Sequence, residues 1–342
     1  MELHIGEWAN IYSKSINKLS KDFTDFYLDV KEINTHPFVV VICAKKLDAS
    51  CITIAVPLEV LPSDIKNYKL TRSEVLKMLN SEHYICKGLE TNLEENAPYY
   101  LEVRDFNYVK PKVNIDVMSR FKEALPFVSN DGLRPTLTGI YIEPQCITST
   151  DGKQLYNCKT NTGIKDPFIL DVSLLKTFIL AVEVLKNTLS SDVISKVGKL
   201  VVYQHGNLAY ISREIDGNYP DYRQIIPEYS PNTFTFEGTK KMETFLKGVT
   251  VFKSNGFTEL SVKEGSVGLT YNGDIKATTE VKGALTGEGN LIAFGNKLLL
   301  KTIKLFGDVY LRMSFTQDNR AVIFSVASDP NVILLQIPEK TY

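Results

Sequence analysis

Apolar and polar positions alternate in short runs along much of this chain. Thr233-Phe234-Thr235-Phe236 has the period of two that places successive side chains on opposite faces of a strand. Phe38–Ile42, Cys51–Val56 and Tyr99–Val103 are dense in β-branched and aromatic residues and predict further strands, as do 137–143, 199–203, 208–215 and 232–236. Near the end, 258–271 predicts a hairpin about the Lys263-Glu264-Gly265 turn, followed by strands over 309–315, 321–326 and 332–337. The alternation predicts sheets with one wet face. The period changes to that of a helix at Trp8, Ile11, Tyr12, Ile16 and Leu19, and again at Met118, Phe121, Leu125 and Val128. The stretches 70–80, 172–187, 239–253 and 296–306 predict further amphipathic helices.

The pattern repeats. Met118, Phe121 and Gly132 recur 124 positions on as Met242, Phe245 and Gly256, and Leu174-Leu175-Lys176-Thr177 recurs 125 positions on as Leu299-Leu300-Lys301-Thr302. After each of these later segments come a glycine, two strands and a polar turn, His205-Gly206-Asn207 in one case and Asp318-Asn319 in the other. Two matches at nearly one offset and in one order predict a chain of similar segments. The 342 residues divide into 1–114, 115–228 and 229–342, each with two helices and several strands, an α+β plan. The first third follows this plan least closely, with Trp8–Lys21 and Leu70–Leu79 as its candidate helices.

The length is too great for one ordinary core and sufficient for two or three. Apolar residues make up 44% and charged residues 23%, the balance of a globular protein. No apolar run reaches the roughly 18–20 residues of a membrane span, so no membrane partner is expected, and the first residues lack the plan of a secretory signal. Cys43, Cys51, Cys86, Cys146 and Cys158 are odd in number and lack CxxC spacing, which points to free thiols in a reducing, cytoplasmic setting. A net charge of −1 excludes a protein that coats nucleic acid through overall charge but leaves room for a locally basic surface.

No catalytic residue is assigned. His4, His36, His83 and His205 are far apart in sequence, and GxSxG, GxGxxG and Walker A patterns are missing. No metal or other cofactor is expected. Asp22/Asp25 and Glu94/Glu95 sit in polar segments where a solvated surface explains them, and Asp151-Gly152 and Asp216-Gly217 have the chemistry of turns. The basic residues carry more. Lys14, Lys18 and Lys21 are spaced i, i+4, i+7, and Lys297, Lys301 and Lys304 repeat that spacing. Arg120, Arg134, Lys176, Lys240 and Lys247 add single charges on or beside predicted helices. An ordinary solvated helix face would account for these lysines; so would a surface that tracks phosphates without reading bases.

The segment Leu133-Arg134-Pro135-Thr136-Leu137-Thr138-Gly139-Ile140-Tyr141-Ile142-Glu143, followed by Thr148-Ser149-Thr150-Asp151-Gly152-Lys153-Gln154-Leu155, resembles the middle domain of the bacterial DNA polymerase III β subunit, or sliding clamp, family. There a Leu-x-Gly strand leads into a Thr-Asp-Gly-x-x-Leu turn. The segment from Ile215 through Asp216-Gly217-Asn218-Tyr219-Pro220-Asp221-Tyr222-Arg223 to Pro227 is similar to that family's second signature, and 332–338 to its final strand and apolar-Pro tail. The resemblance covers about 115–342; residues 1–114 match in layout alone.

The resemblance implies a DNA-clamp fold of three domains, two chains closing head to tail into a ring around duplex DNA, and a processivity factor for a replicative polymerase. It implies a pocket for short apolar-aromatic peptides of polymerase and clamp-loader subunits, at Leu137, Thr150, Gly152, Leu155, Pro227, Leu335, Ile337 and Pro338. The lysines and arginines above would face DNA. Lys153-Gln154 stands where the family usually has His-Arg, and the tail Glu339-Lys340-Thr341-Tyr342 is more polar than is common, departures that suggest a divergent clamp such as a bacteriophage or other mobile element would carry. A non-ring scaffold of the same fold and a nucleic-acid-processing enzyme are the alternatives.

Overall fold

The computed structural model describes residues 1–44, 50–104, 117–185, 192–228, 230–252, 256–273, 275–318 and 320–339. The chain forms two compact units, each gathering separate stretches of sequence. The first contains Met1–Lys122, Gly139–Pro144 and Asn161–Gly217; the second contains Glu123–Thr138, Gln145–Thr160 and Asn218–Tyr342.

The first unit is built on an eight-stranded antiparallel sheet. Its order is Asp192–Val197, Leu200–His205, Leu208–Arg213, Ser50–Pro57, His36–Ala44, Asp25–Ile33, Tyr68–Thr71 and Leu89–Glu90. The join between the early and later strands is the pairing of Leu208 with Ile54 and of Ile211 with Cys51. Seven of the eight residues of Ser50–Pro57 are buried, so this strand has no wet face. Helices explain the double burial. On one face Leu93, Ala97 and Tyr100 pack among Tyr27, Val40, Ile42, Cys51 and Ile211. Elsewhere in the unit the Ser13–Leu19 helix packs on the Leu175–Glu183 helix, where the buried Ser15 hydroxyl donates to the Ala181 carbonyl at 2.7 Å. The expected one-sided alternation therefore fails for the central strands and holds at Asn232–Phe236, whose residues alternate buried and half-buried.

Tyr99–Val103, predicted as a strand, lies in a short helix, Pro98–Glu102. Pro98 opens that helix, where its missing N–H costs nothing. The turn is held by a fully buried carboxylate: the Tyr100 hydroxyl donates to Asp29 at 2.6 Å, and Arg104 grips both Asp29 oxygens at 2.7 and 2.8 Å. The aromatic and β-branched composition reported burial, which is what strand propensity largely measures.

The other helices fall close to expectation. Arg72–Leu79 starts at a capping box, with the Thr71 hydroxyl accepting from the Glu74 N–H and the Thr71 N–H donating to the Glu74 carboxylate at 2.7 Å. Val117–Ala124 gives way to a 3₁₀ turn at Leu125–Phe127, because Pro126 cannot continue the helical hydrogen bonds. The first predicted helix is divided into a 3₁₀ turn, Glu7–Tyr12, and an α-helix, Ser13–Leu19. Lys21 lies past its end. The 172–187 and 239–253 stretches become Leu175–Glu183 and Lys240–Phe252; residues 186, 187 and 253 lie outside the described residues, as do the boundary at 114/115, Tyr229, Asn319 and the tail from 340 to 342.

The strands of the second unit run in the order Cys146–Thr150, Gln154–Lys159, Asp329–Gln336, Val322–Val326, Leu311–Phe315, Asn232–Phe236, Lys276–Thr286, Ser266–Asn272, Phe257–Lys263 and Leu291–Gly295. The predicted hairpin turns at Gly265, whose φ of 78° suits glycine. Helices Lys240–Phe252 and Asn296–Phe306 pack together, and Asp308 ties the end of one to the start of the other by accepting from the Thr239 and Lys240 N–H groups at 2.9 Å each.

Candidate functional site

All eight residues of the expected peptide pocket belong to the second unit. The hairpin Cys146–Thr150/Gln154–Lys159 supplies its centre. Its turn is closed by the Thr150 hydroxyl, which donates to the Gln154 carbonyl at 2.6 Å and accepts from the Gly152 N–H at 3.1 Å. Asp151 accepts from the N–H groups of Lys153 and Gln154 at 3.0 and 2.8 Å. Gly152 has φ 85°, and a Cβ there would also come 3.3 Å from the Arg134 guanidinium. Leu155 lies opposite Thr150 on one side and Leu335 on the other. The Ile337 N–H then donates to the Lys153 carbonyl at 3.0 Å, which carries the final strand past the turn.

Thr150, Gly152, Leu155, Leu335 and Ile337 are thus brought together by one hydrogen-bonded frame, with Pro338 following. Leu137 ends a 3₁₀ turn, Pro135–Leu137, and its carbonyl accepts from the Ser129 N–H at 2.8 Å. The strand expected over 137–143 begins only at Ile140. Gly139 separates the two: a Cβ there would meet the Leu170 carbonyl at 2.5 Å, which gives the Leu-x-Gly signature a packing reason. Pro227 is half-buried after the Tyr222–Ile225 turn and stands outside the frame just described.

Burial separates these residues by role. Leu155 and Leu335 are each 1% exposed, so they support the site from beneath and offer a partner almost no surface. Ile337 is 44% exposed and is the apolar side chain of the frame that a peptide can cover. Expecting Leu155 to be a contact wall is corrected on this ground.

Sequence reasoning missed what holds the turn. The two N–H groups of the Gln154 amide are shared among three acceptors in reach of its nitrogen, the Leu298 carbonyl at 3.0 Å, the Thr302 hydroxyl at 2.9 Å and the Gln336 side-chain oxygen at 3.2 Å. Thr302 donates to that same oxygen at 2.7 Å. The three side chains are buried. They bind the turn to helix Asn296–Phe306 and to the last strand, while the Gln154 Oε1 and Gln336 Nε2 atoms of the cluster are buried without a hydrogen-bond partner among the described residues. Beside it, Lys301 pairs with Asp151 at 2.8 Å, donates to the Pro126 carbonyl at 3.1 Å and lies 4.6 Å above the Phe127 ring. At the rim, exposed Lys153 and Glu339 stand 3.8 Å apart.

Lys301 therefore departs from the expected basic stripe. Its ammonium is committed to Asp151, and the i, i+4, i+7 spacing concealed this because the partner lies 150 residues away. Lys297 and Lys304, on the same helix, are exposed. Lys240 and Lys247 are exposed on the neighbouring helix. Lys247 pairs with Glu243 at 2.6 Å, and its hydrogen bond holds that carboxyl below its ordinary range, with the charges of Lys247, Lys240 and Lys304 lowering it further. Lys240, Lys247 and Lys304 consequently share one neighbourhood of positive charge across the two helices. Arg134 is exposed and faces Asp131 at 3.6 Å.

In the first unit, Lys14 is exposed and Lys18 half-exposed on helix Ser13–Leu19. Lys21 lies in the turn that follows, so the three-lysine helical stripe shortens to two. Lys176 is exposed on the helix that packs against this one, and Arg120 is half-buried on Val117–Ala124.

No helix among the described residues is long and apolar enough to cross a membrane. The five cysteines are buried and unpaired with one another, as the sequence led us to expect of free thiols.

No family model matches the chain. Among curated proteins it is similar to the beta sliding clamp of Lactococcus lactis, 26% identical over 264 residues that cover 73% of this chain and 68% of the relative. It is 22% identical to that of Bacillus subtilis over 297 residues, 84% of this chain and 76% of the relative. Among solved structures, the DNA polymerase III beta chain of Streptococcus pneumoniae superimposes with a TM-score of 0.77 at 16% identity, over 99% of both chains. The beta subunit from Thermotoga maritima gives 0.75 at 15% identity over the whole of both. At those identities the structures establish the clamp fold, and in sequence the chain is similar to beta sliding clamps over 73–84% of its length.

Proposed function

We propose that this chain is a DNA sliding clamp, a processivity factor that encircles duplex DNA and tethers a replicative DNA polymerase to it. The observation that carries the reading is the sequence kinship with beta sliding clamps over 73–84% of the chain. The clamp works by topology. Segments 1–114, 115–228 and 229–342 act as three domains, and two chains join head to tail so that six domains close on themselves and cannot grow into a filament. Lys14, Lys18, Lys21, Lys176, Lys240, Lys247, Lys297, Lys304, Arg120 and Arg134 attract phosphates without sequence preference, which leaves the ring free to slide.

The frame around Thr150–Leu155 and Ile337–Pro338 receives a short apolar-aromatic motif of a polymerase or clamp-loader subunit, with Ile337 as the covered apolar surface and turn backbone groups orienting the peptide. Lys153 and Glu339 at the rim tune which motifs bind. The protein carries out no reaction of its own and acts in the bacterial cytoplasm, on host or phage DNA.

Primer extension on a long single-stranded circle, with a cognate polymerase and loader, tests the reading. Adding the protein should lengthen products made in a single encounter. Unchanged product length, or a mass that stays at 38.5 kDa and never doubles even at high protein concentration, would overturn it in favour of a non-ring scaffold.

A further inference from the structure

Two histidines 79 positions apart meet in the fold. Strand Glu2–His4 pairs antiparallel with strand His83–Ile85, and the register places His4 directly opposite His83. Their rings stand edge to face with centroids 4.3 Å apart. Glu2 precedes His4 by two residues and therefore points to the same face. The intervening Leu3 is fully buried and fixes which face turns inward. Glu2 and His83 are exposed and His4 is half-buried, so the outward face presents two imidazoles and one carboxylate. One donor atom from each of the three lies within 4.8 Å of the other two. The backbone beneath is pinned at both ends of the pair, by the Ile5 N–H to the Glu82 carbonyl at 2.8 Å and the Cys86 N–H to the Met1 carbonyl at 2.9 Å.

We infer that Glu2, His4 and His83 form a binding site for a divalent transition-metal ion, of the zinc or nickel class. Ligands about 2.0–2.1 Å from a tetrahedral ion stand roughly 3.3 Å from one another, a closure that side-chain rotation on a fixed strand pair supplies. Two imidazoles select zinc, nickel or copper over magnesium and calcium, which favour oxygen-only sets. Three protein donors on an exposed face leave the fourth position to water. The bound ion cross-links the first strand to the His83–Ile85 strand. The site is independent of the clamp function proposed above.

Isothermal titration of the full chain, free of any polyhistidine tag, with zinc, nickel and magnesium chlorides tests the inference. One zinc or nickel ion should bind per chain in the micromolar range, with no saturable magnesium binding. His4→Ala and His83→Ala should each weaken zinc by at least about 10-fold, since even outer-shell losses cost that much. His36→Ala should change nothing, because His36 is exposed on a different strand pair. Cobalt provides a second readout that needs no variant: tetrahedral coordination gives intense visible absorption, whereas a weak octahedral spectrum would count against the site. Absence of saturable zinc binding, or affinity retained in His83→Ala with an unchanged circular dichroism spectrum, would overturn the inference.

Discussion

Leu155 and Ile337 belong to the same hydrogen-bonded frame, yet truncating them should have opposite consequences. Leu155 is 1% exposed and lies between Thr150 and Leu335 in the sheet. Leu155→Ala removes three buried carbons from the middle of three strands and leaves a cavity, a change that costs about 2–5 kcal/mol. Ile337 is 44% exposed, and its backbone bond to Lys153 survives substitution. Ile337→Ala should therefore alter stability by no more than about 0.5 kcal/mol, as for surface positions generally. Its effect should fall on binding. Loss of a contact that a peptide covers costs about 1–2 kcal/mol, or roughly 5- to 30-fold in Kd. Urea unfolding followed by circular dichroism reads the first quantity, through the midpoint of the transition that includes the second unit. Fluorescence anisotropy with a labelled apolar-aromatic clamp-binding peptide reads the second. Leu155→Ala should lower the unfolding midpoint, and Ile337→Ala should weaken the peptide at an unchanged midpoint. If Ile337→Ala binds the peptide as tightly as the parent, the contact surface is misplaced. If Leu155→Ala leaves unfolding unaltered, the packing argument for that strand fails.

Charge reversal of Lys240, Lys247 and Lys304 should weaken binding to short linear duplex DNA and flatten the dependence of log K on log salt by about 3, which anisotropy titrations at several salt concentrations would show. Lys301→Met should leave that slope unchanged while lowering stability by about 1–2 kcal/mol, since a charge-assisted bond to Asp151 is lost and the carboxylate is left half-buried. Burial raises the Cys51 thiol to about 12 and the Cys86 thiol to about 11, so at pH 8 neither should react with a disulfide reagent until urea unfolds the chain. Stoichiometric labelling of the native protein within minutes would contradict that burial.

Local periodicity made the strands with one buried face and most helices legible. Asn232–Phe236 matches its predicted bounds, and Asn296–Phe306 its predicted helix, because each buries one face and repeats with its own period. Tyr99–Val103 misled because aromatic and β-branched residues serve a doubly covered sheet as well as a strand. The turn at Thr150–Gln154 was legible through its Asp-Gly chemistry and through family resemblance. The Gln154–Thr302–Gln336 cluster was not, since those partners are 148 and 182 positions from Gln154 and carry no local signature. Lys301 and the His4–His83 pair show the same limit in opposite directions. A helical spacing placed Lys301 in a stripe that a distant aspartate removes it from, whereas wide separation hid two histidines that strand pairing brings side by side.

The central claim is topological, and retention on DNA tests it most directly. The protein should be loaded onto a nicked circular duplex, washed at high salt and passed through a gel-filtration column, then examined again after a single cut in the circle. Phosphate contacts alone lose roughly 10³-fold or more in affinity between 50 and 200 mM salt when about six are made. A closed ring does not depend on them, so it should remain with the circle through the wash and be lost once the cut gives it an end to slide from. Equal retention on circular and linear DNA with free ends, or loss from the intact circle as salt rises, would contradict the account.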